Sequence, residues 1–281
     1  MTSTPEATAA PVCPRHPDRV SFVSCQRCGR PACPECQRQA PVGVQCVDCV
    51  AEQARAARPQ RSALGARIGS GRPVVTITMI VACVVSYLLQ RVLPSEQWFG
   101  RLAFAPFLAE EEPYRMLTTA FLHSTSIVHI VFNMYALWLV GPALEHQLGK
   151  ARFLALYLLT AVGGSVAFLL FTDPMTFDWV TPVVGASGAV FGLFGALMMV
   201  LRRLEVRDTQ LVGVIAINFA LGFVLPNIAW QAHLGGFVVG VAMAAAYAYA
   251  PRGRRTLVAW ATPGVVALVL VGLTTAKLSG L

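Results

Sequence analysis

From Val74 onward the chain alternates long apolar stretches with short polar breaks. Seven stretches reach or approach the roughly 20 residues that cross a bilayer core: approximately 74–92, 116–141, 153–171, 186–201, 211–225, 230–249 and 257–276. Apolar character runs around every face of each, which predicts helices, since a helix satisfies its own backbone hydrogen bonds in lipid. The fourth and fifth are short for a full span and read as helices lying largely inside the bundle. The expected fold is all-α, a polytopic transmembrane bundle, preceded by a small N-terminal domain of another kind.

Composition agrees with the pattern. Of 281 residues, 56% are hydrophobic and 13% charged, about half the charge of an ordinary soluble domain. Basic residues cluster in alternate loops: Arg55, Arg58, Arg61, Arg67 and Arg72 before the first span, Lys150 and Arg152 after the second, Arg202, Arg203 and Arg207 after the fourth, Arg252, Arg254 and Arg255 after the sixth. The other loops carry Glu110, Glu111, Glu112, Asp173 and Asp178, or nothing ionisable between Pro226 and Trp230, with Arg101 and Arg115 as minor exceptions. This distribution puts the N-terminus in the cytoplasm and the C-terminus outside, as in a multi-pass protein of the plasma membrane. Residues 1–12 have no basic start and no apolar run, which reads against a cleavable signal peptide. The net charge of +8 is then a topology signal, and no nucleic-acid partner follows from it.

The first fifty residues differ. They hold seven of the eight cysteines, in Cys13-Pro-Arg-His16, Cys25-Gln-Arg-Cys28, Cys33-Pro-Glu-Cys36 and Cys46-Val-Asp-Cys49. Each pair has the gap that lets two side chains grip one ion, and seven thiolates plus one imidazole make two tetrahedral Zn²⁺ sites. A disulfide framework is disfavoured on the cytoplasmic side, where thiols stay reduced. The residues resemble a B-box-type zinc finger. That resemblance implies interleaved pairing, Cys13 and His16 with Cys33 and Cys36, and Cys25 and Cys28 with Cys46 and Cys49; spacing alone also allows sequential pairing. With few apolar residues to form a core, structural zinc would supply much of the folding free energy. Residues 1–50 thus read as a double zinc-binding module, a protein-interaction or regulatory unit with a cytoplasmic protein partner, or a folded tether. Residues 51–72 read as a short helix and a flexible basic linker able to touch lipid headgroups, and Cys83 as a small core hydrophobe.

Polar residues inside apolar spans are costly and persist where they have partners. His129 and Asn133 share a face of the second span, Ser187 opens the fourth, and His233 lies near the start of the sixth. All three spans enter from the outer side, so these groups share a shallow depth. A serine hydroxyl needs a neighbouring base, and the oxyanion formed in acyl transfer needs fixed donors. The Ser187 N–H, the Asn133 amide and a His129 N–H qualify. Gly185, Gly188 and Gly192 surround the serine, and Gly236 and Gly240 follow His233 on one face, so the two helices can approach closely. Asn218 reads as an interhelical hydrogen-bond residue, Glu145 as a contact near Lys150, His146 as solvated and His123 as an outer-edge structural or gating residue.

Gly185-Ala-Ser187-Gly188, Ala232-His233 with Gly236 and Gly240, and His129 with Asn133 resemble the rhomboid family of intramembrane serine proteases, as do Arg115, His123, and Gly141 followed by Glu145. The resemblance covers about residues 74–249. It implies a six-helix core over residues 73–250, with residues 251–281 adding a basic loop and a seventh helix. It also implies a Ser187–His233 dyad without a third acid or a metal, cleaving transmembrane segments of other membrane proteins. Phe191 stands where a tyrosine is often found beneath the catalytic histidine, and Tyr114-Arg115 where Trp-Arg is familiar. The rival readings are a catalytically inactive rhomboid-like binding or scaffold protein, which would lack Ser187 or His233, and a transporter, which would show an inverted repeat.

Overall fold

A computed structural model describes residues 10–56, 61–66, 71–207, 209–224 and 228–280. The sequence readings on residues 1–9, Arg58, Arg67, Leu225 and Pro226 lie outside the described residues. The chain divides into two compact units, Met1–Pro59 and Gln60–Leu281.

In the first unit, β1 (Val12–Cys13) pairs antiparallel with β2 (His16–Val20), and β3 (Gln37–Gln39) with β4 (Val44–Cys46). The helix α1 (Val47–Ala56) starts inside the last cysteine pair, a few residues earlier than the sequence suggests. Its buried cluster is six cysteines and Ala32, with Val47 packed against them, while Phe22 is 81% exposed. Apolar burial therefore contributes little to this fold.

The second unit is a helical bundle. Its elements are α2 (Val74–Val92), the short α3 (Phe99–Leu102) and α4 (Arg115–Thr118), then α5 (Ile127–Leu148), α6 (Lys150–Phe171), α7 (Ser187–Arg203), α8 (Thr209–Val224), α9 (Trp230–Tyr249) and α10 (Arg255–Ser279). Five of these, α2, α5, α6, α9 and α10, are long and apolar enough to cross a membrane. The 17-residue α7 and 16-residue α8 would span about 25 Å or less, short of the ~30 Å hydrocarbon core, as their lengths in the sequence suggest. The most extensive packing joins α9 to α7 and α6, and outward residues such as Phe132 and Leu268 are exposed, as suits a lipid-facing surface.

Glycine makes that central packing possible. A Cβ on Gly236 would lie 1.9 Å from the Gly188 carbonyl oxygen, and one on Gly240 2.0 Å from that of Gly192. Backbones of α7 and α9 thus touch where side chains would otherwise hold them apart. On α6, Gly163 and Gly235 of α9 do the same: a Cβ on Gly235 would meet the Gly163 carbonyl oxygen at 2.3 Å.

Four expectations need correction. The second span is Ile127–Leu148 and not residues 116–141. Residues 115–121 form α4 and a 3-10 turn whose threonines bond the preceding loop, Thr118 Oγ1 donating to the Leu102 carbonyl at 2.8 Å. At its other end the helix continues through Gly141 and Pro142, as membrane helices tolerate. The linker is not wholly flexible: Leu64 is 3% exposed and packs in the bundle core. Glu145 is buried and makes no ion pair with Lys150; it accepts the N–H groups of Val75 and Thr76 at 3.1 and 2.9 Å and the Thr76 hydroxyl at 2.8 Å. It thereby caps α2, whose own N-terminus has no side-chain acceptor. Asn218 donates to the Val214 carbonyl of its own helix at 2.8 Å and, among the described residues, bridges to no other helix.

Candidate active site

Ser187 is the first residue of α7, and three backbone or side-chain links hold the approach to it. Val183 N–H donates to Phe104 O at 2.8 Å, Gly185 N–H to Thr119 O at 3.1 Å, and Thr119 Oγ1 to Val183 O. Gly185 has φ +131°, a conformation that suits glycine. A Cβ there would meet His129 Cε1 and Nε2 at 2.9 Å, so only glycine lets the imidazole sit beside the serine turn.

Across the glycine contact, His233 Nε2 lies 2.9 Å from Ser187 Oγ. The hydroxyl donates when that nitrogen is unprotonated, which puts the neutral ring's proton on Nδ1. Nδ1 is buried and has no partner among the described residues. The ring is held instead by stacking: its centroid is 4.2 Å from that of Phe191, with 10° between planes. Phe191 is in turn braced edge-on by Phe194 and Phe219. The phenyl ring thus orients the imidazole without donating a hydrogen bond, and its π-face favours a cation above it by about 0.5–2 kcal/mol.

His129, in the first turn of α5, has its polarity set by the preceding loop. Ser124 N–H donates to His129 Nδ1 at 3.1 Å, with the Ser124 hydroxyl 3.0 Å away. An Nδ1 that accepts leaves the proton on Nε2, the nitrogen nearest Gly185, so the imidazole presents a donor there. Asn133 is buried and spends one amide hydrogen on the His129 carbonyl at 2.8 Å, leaving a second. Ser187, His233, His129 and Asn133 line one cavity of about 1280 Å³. The Ser187 N–H belongs to the N-terminal turn of α7, whose first N–H groups have no intrahelical acceptor. The site can therefore support acyl transfer, with a serine–imidazole pair and donors on the same cavity.

Sequence reasoning missed Ser124 and Thr119, which position His129 and the serine turn. Neither lies at helical spacing from what it holds. His123 is 1% exposed, with its ring 5.3 Å from that of His129, so it is part of the site's wall. At the start of α4, Arg115 pairs with Glu112 and donates to the Ala103 carbonyl at 3.0 Å; the guanidinium holds the Glu112 carboxyl below the usual carboxylate range. Cys83 is fully buried beneath the Ala120 carbonyl.

The cysteine unit forms two separate donor sets, Cys13, His16, Cys33 and Cys36, and Cys25, Cys28, Cys46 and Cys49, each with its ligand atoms within 4.8 Å of one another. The grouping is interleaved. Cys28 Sγ and Cys46 Sγ are 3.8 Å apart, the edge of a tetrahedron with bonds of about 2.3 Å, and too far for a disulfide. His16 turns Nδ1 toward Cys33 and Cys36, at 3.3 and 3.4 Å, with Nε2 3.9 Å from Glu35. Backbone N–H groups, that of Cys33 foremost, draw the Cys13 thiol down to about 6, and burial pushes Cys36 up to about 11 and Cys49 up to about 12. Clustered thiolates repel, and a divalent cation is what lets all four ionise. Each set could bind a metal ion.

A bundle of membrane-length helices with a serine and a histidine joined across two glycine-lined helices defines a polytopic helical membrane protein with a part-buried serine–imidazole contact. Comparison with known proteins makes the class specific. The rhomboid domain matches residues 110–250, half of the chain, and the protein belongs to the rhomboid family. It is a multi-pass membrane protein. It is similar to "Rhomboid protease GluP" of Bacillus subtilis, 34% identical over 197 residues, which make up 66% of this chain and 37% of that relative. "Putative rhomboid protease YdcA" of the same organism is 38% identical over 138 residues, 47% of this chain and 66% of the relative. "Rhomboid-like protease 3" of Toxoplasma gondii is 29% identical over 187 residues, 62% of this chain and 67% of the relative. The chain thus spans little more than a third of the length of the first of these relatives and about two thirds of the second.

Proposed function

We propose that this chain is an intramembrane serine endopeptidase that cleaves transmembrane segments of membrane proteins. The observation that carries the reading is the 2.9 Å contact between Ser187 Oγ and His233 Nε2, with the imidazole fixed on Phe191. Ser187 attacks the scissile carbonyl as His233 takes its proton. The tetrahedral oxyanion is met by the Ser187 N–H, the His129 Nε2–H and the free Asn133 amide hydrogen. The His233 imidazolium, charged without a carboxylate, rests on the face of Phe191 and returns its proton to the leaving amine. Water then enters from the cavity, loses its proton to His233, and hydrolyses the acyl-enzyme.

The same reading places the protein in the plasma membrane with its arginine-rich loops in the cytoplasm and Ser187 near the outer surface. The cysteine unit is proposed as a B-box-like module holding two structural Zn²⁺ ions, the first on Cys13, His16, Cys33 and Cys36 and the second on Cys25, Cys28, Cys46 and Cys49. Zinc there ties segments that bury little apolar surface; with all four positions taken by protein, it leaves no place for a reacting water. A protein partner in the cytoplasm is the expected ligand of this module.

The test is fluorophosphonate labelling of the purified chain, compared with Ser187→Ala, alongside cleavage of a reporter membrane protein. Labelling and cleavage lost together in the variant support the protease. An unlabelled wild-type chain that still binds membrane proteins would make it the inactive scaffold.

A further inference from the structure

The end of the bundle opposite Ser187 carries a polar assembly that this chemistry leaves unused. The turn of residues 61–66 is stitched to the helices there: Ser62 Oγ donates to the Gln147 carbonyl at 2.7 Å, and Arg152, in the first turn of α6, to the Leu64 carbonyl at 2.9 Å. Arg61 donates to the Gly65 carbonyl at 3.3 Å. Gly65, at φ +81°, brings the turn against α10: a Cβ on it would lie 3.8 Å from Cδ and Nη1 of Arg255. Three guanidinium groups, from the linker, α6 and α10, therefore converge on one turn. Among the described residues none has a carboxylate within ion-pair distance; the ion pair seen in the bundle, Arg115 with Glu112, is at the other end.

Two independent features add donors. The 25-residue α10 starts at Arg255 with no side-chain cap and no acid in its first turn, so its leading N–H groups have no side-chain acceptor. The Tyr247 ring lies 5.6 Å beneath the Arg152 guanidinium, and its hydroxyl, on a residue 3% exposed, has no partner among the described residues. Arg152 and Arg255 are only half-buried, so the donors remain reachable.

The geometry points to an anion site here, built from Arg61, Arg152, Arg255, the α10 N-terminus and the Tyr247 hydroxyl, that takes a phosphate group. Every one of these groups donates or is positively charged, and guanidinium forks match phosphate oxygens. The site lies at the end of the bundle where helices meet lipid headgroups, so an anionic phospholipid can supply the phosphate, as can inorganic phosphate. An occupant would tie the linker, α6 and α10 together, giving the seventh helix a fastening that its sparse packing does not provide.

The test uses the full chain, stripped of lipid in detergent and titrated with phosphatidylglycerol, phosphatidylcholine or inorganic phosphate, with native mass spectrometry counting bound molecules. Wild type is expected to hold one phosphatidylglycerol at least ~10-fold more tightly than phosphatidylcholine. Arg152→Gln with Arg255→Gln should remove that preference, while Arg202→Gln with Arg207→Gln, an equal loss of charge away from the turn, should keep it. Arg255→Gln alone, which breaks no hydrogen bond to the turn, and Tyr247→Phe should each weaken it several-fold, guarding against a folding defect. Phosphate binding lost in the first double variant, without a lipid preference, supports the site with a soluble occupant. Equal weakening by both double variants, or no difference between wild type and the first for either ligand, overturns it.

Discussion

The cysteine unit and the helical bundle bring distant residues together by opposite means. In the first, donor atoms from four separate pairs converge while Phe22 and Val42 stay about 80% exposed, so an ion bound there would do what a core does elsewhere. In the second, Ser187 and His233 meet because Gly188, Gly192, Gly236 and Gly240 remove the side chains between two helices, and the site is assembled by packing and by loop hydrogen bonds. With a metal bound, the first unit would be conditional on a ligand, whereas the second is packed without one. A proposed protease gains from that division, because an oxyanion donor worth about 3 kcal/mol must already be in place when charge develops.

Perturbations should fall on one unit or the other. Ser187→Ala should lower reporter cleavage at least about a thousandfold with the fold unchanged, read by cleavage and circular dichroism. A strong zinc chelator should open the cysteine unit to limited proteolysis while fluorophosphonate labelling of the bundle persists; loss of labelling would show that the two units are not independent. Gly236→Val, which puts carbon 1.9 Å from the Gly188 carbonyl, should cost about 3 kcal/mol or more and abolish labelling. Gly272→Ala, with nothing within 4 Å of the added carbon, should change thermal stability by under about 0.5 kcal/mol. Between these extremes, Ser124→Pro removes the N–H that fixes the His129 tautomer, and turnover should fall about tenfold, whereas Ser124→Ala keeps the N–H and most of the activity. Phe191→Ala should slow turnover roughly fivefold, the equivalent of about 1 kcal/mol of ring-face stabilisation, and Phe191→Tyr should not.

Much of the bundle was legible because periodicity and small-residue spacing are local signals. The bounds of α2 and α9 follow from apolar run length, and the closeness of Ser187 to His233 from glycines on matching faces. The interleaved cysteine grouping came from a family resemblance, since spacing alone left sequential pairing open. What escaped lies in irregular backbone. Thr119, Phe104 and Val183 meet through loops whose contacts leave no period, and Ser124 acts through its main-chain N–H, which every residue but proline has. The partner of Glu145 escaped for a related reason. Its place near Lys150 in sequence names no partner, whereas the unpaired N–H groups of α2 supply one.

Gly141 and Pro142 stand between that carboxylate and the active-site end of α5. A Cβ on Gly141 would lie 2.6 Å from the Thr76 methyl, so α2 leans on the helix at this point. The next residue, Pro142, has no N–H to offer the preceding turn, which makes it the most easily bent place along α5. The tether from the cysteine unit enters the membrane through α2. A pull on that tether first meets the 61–66 turn, which is bonded to Gln147 and Arg152, and Pro142 separates that end of α5 from the segment that carries His129 and Asn133.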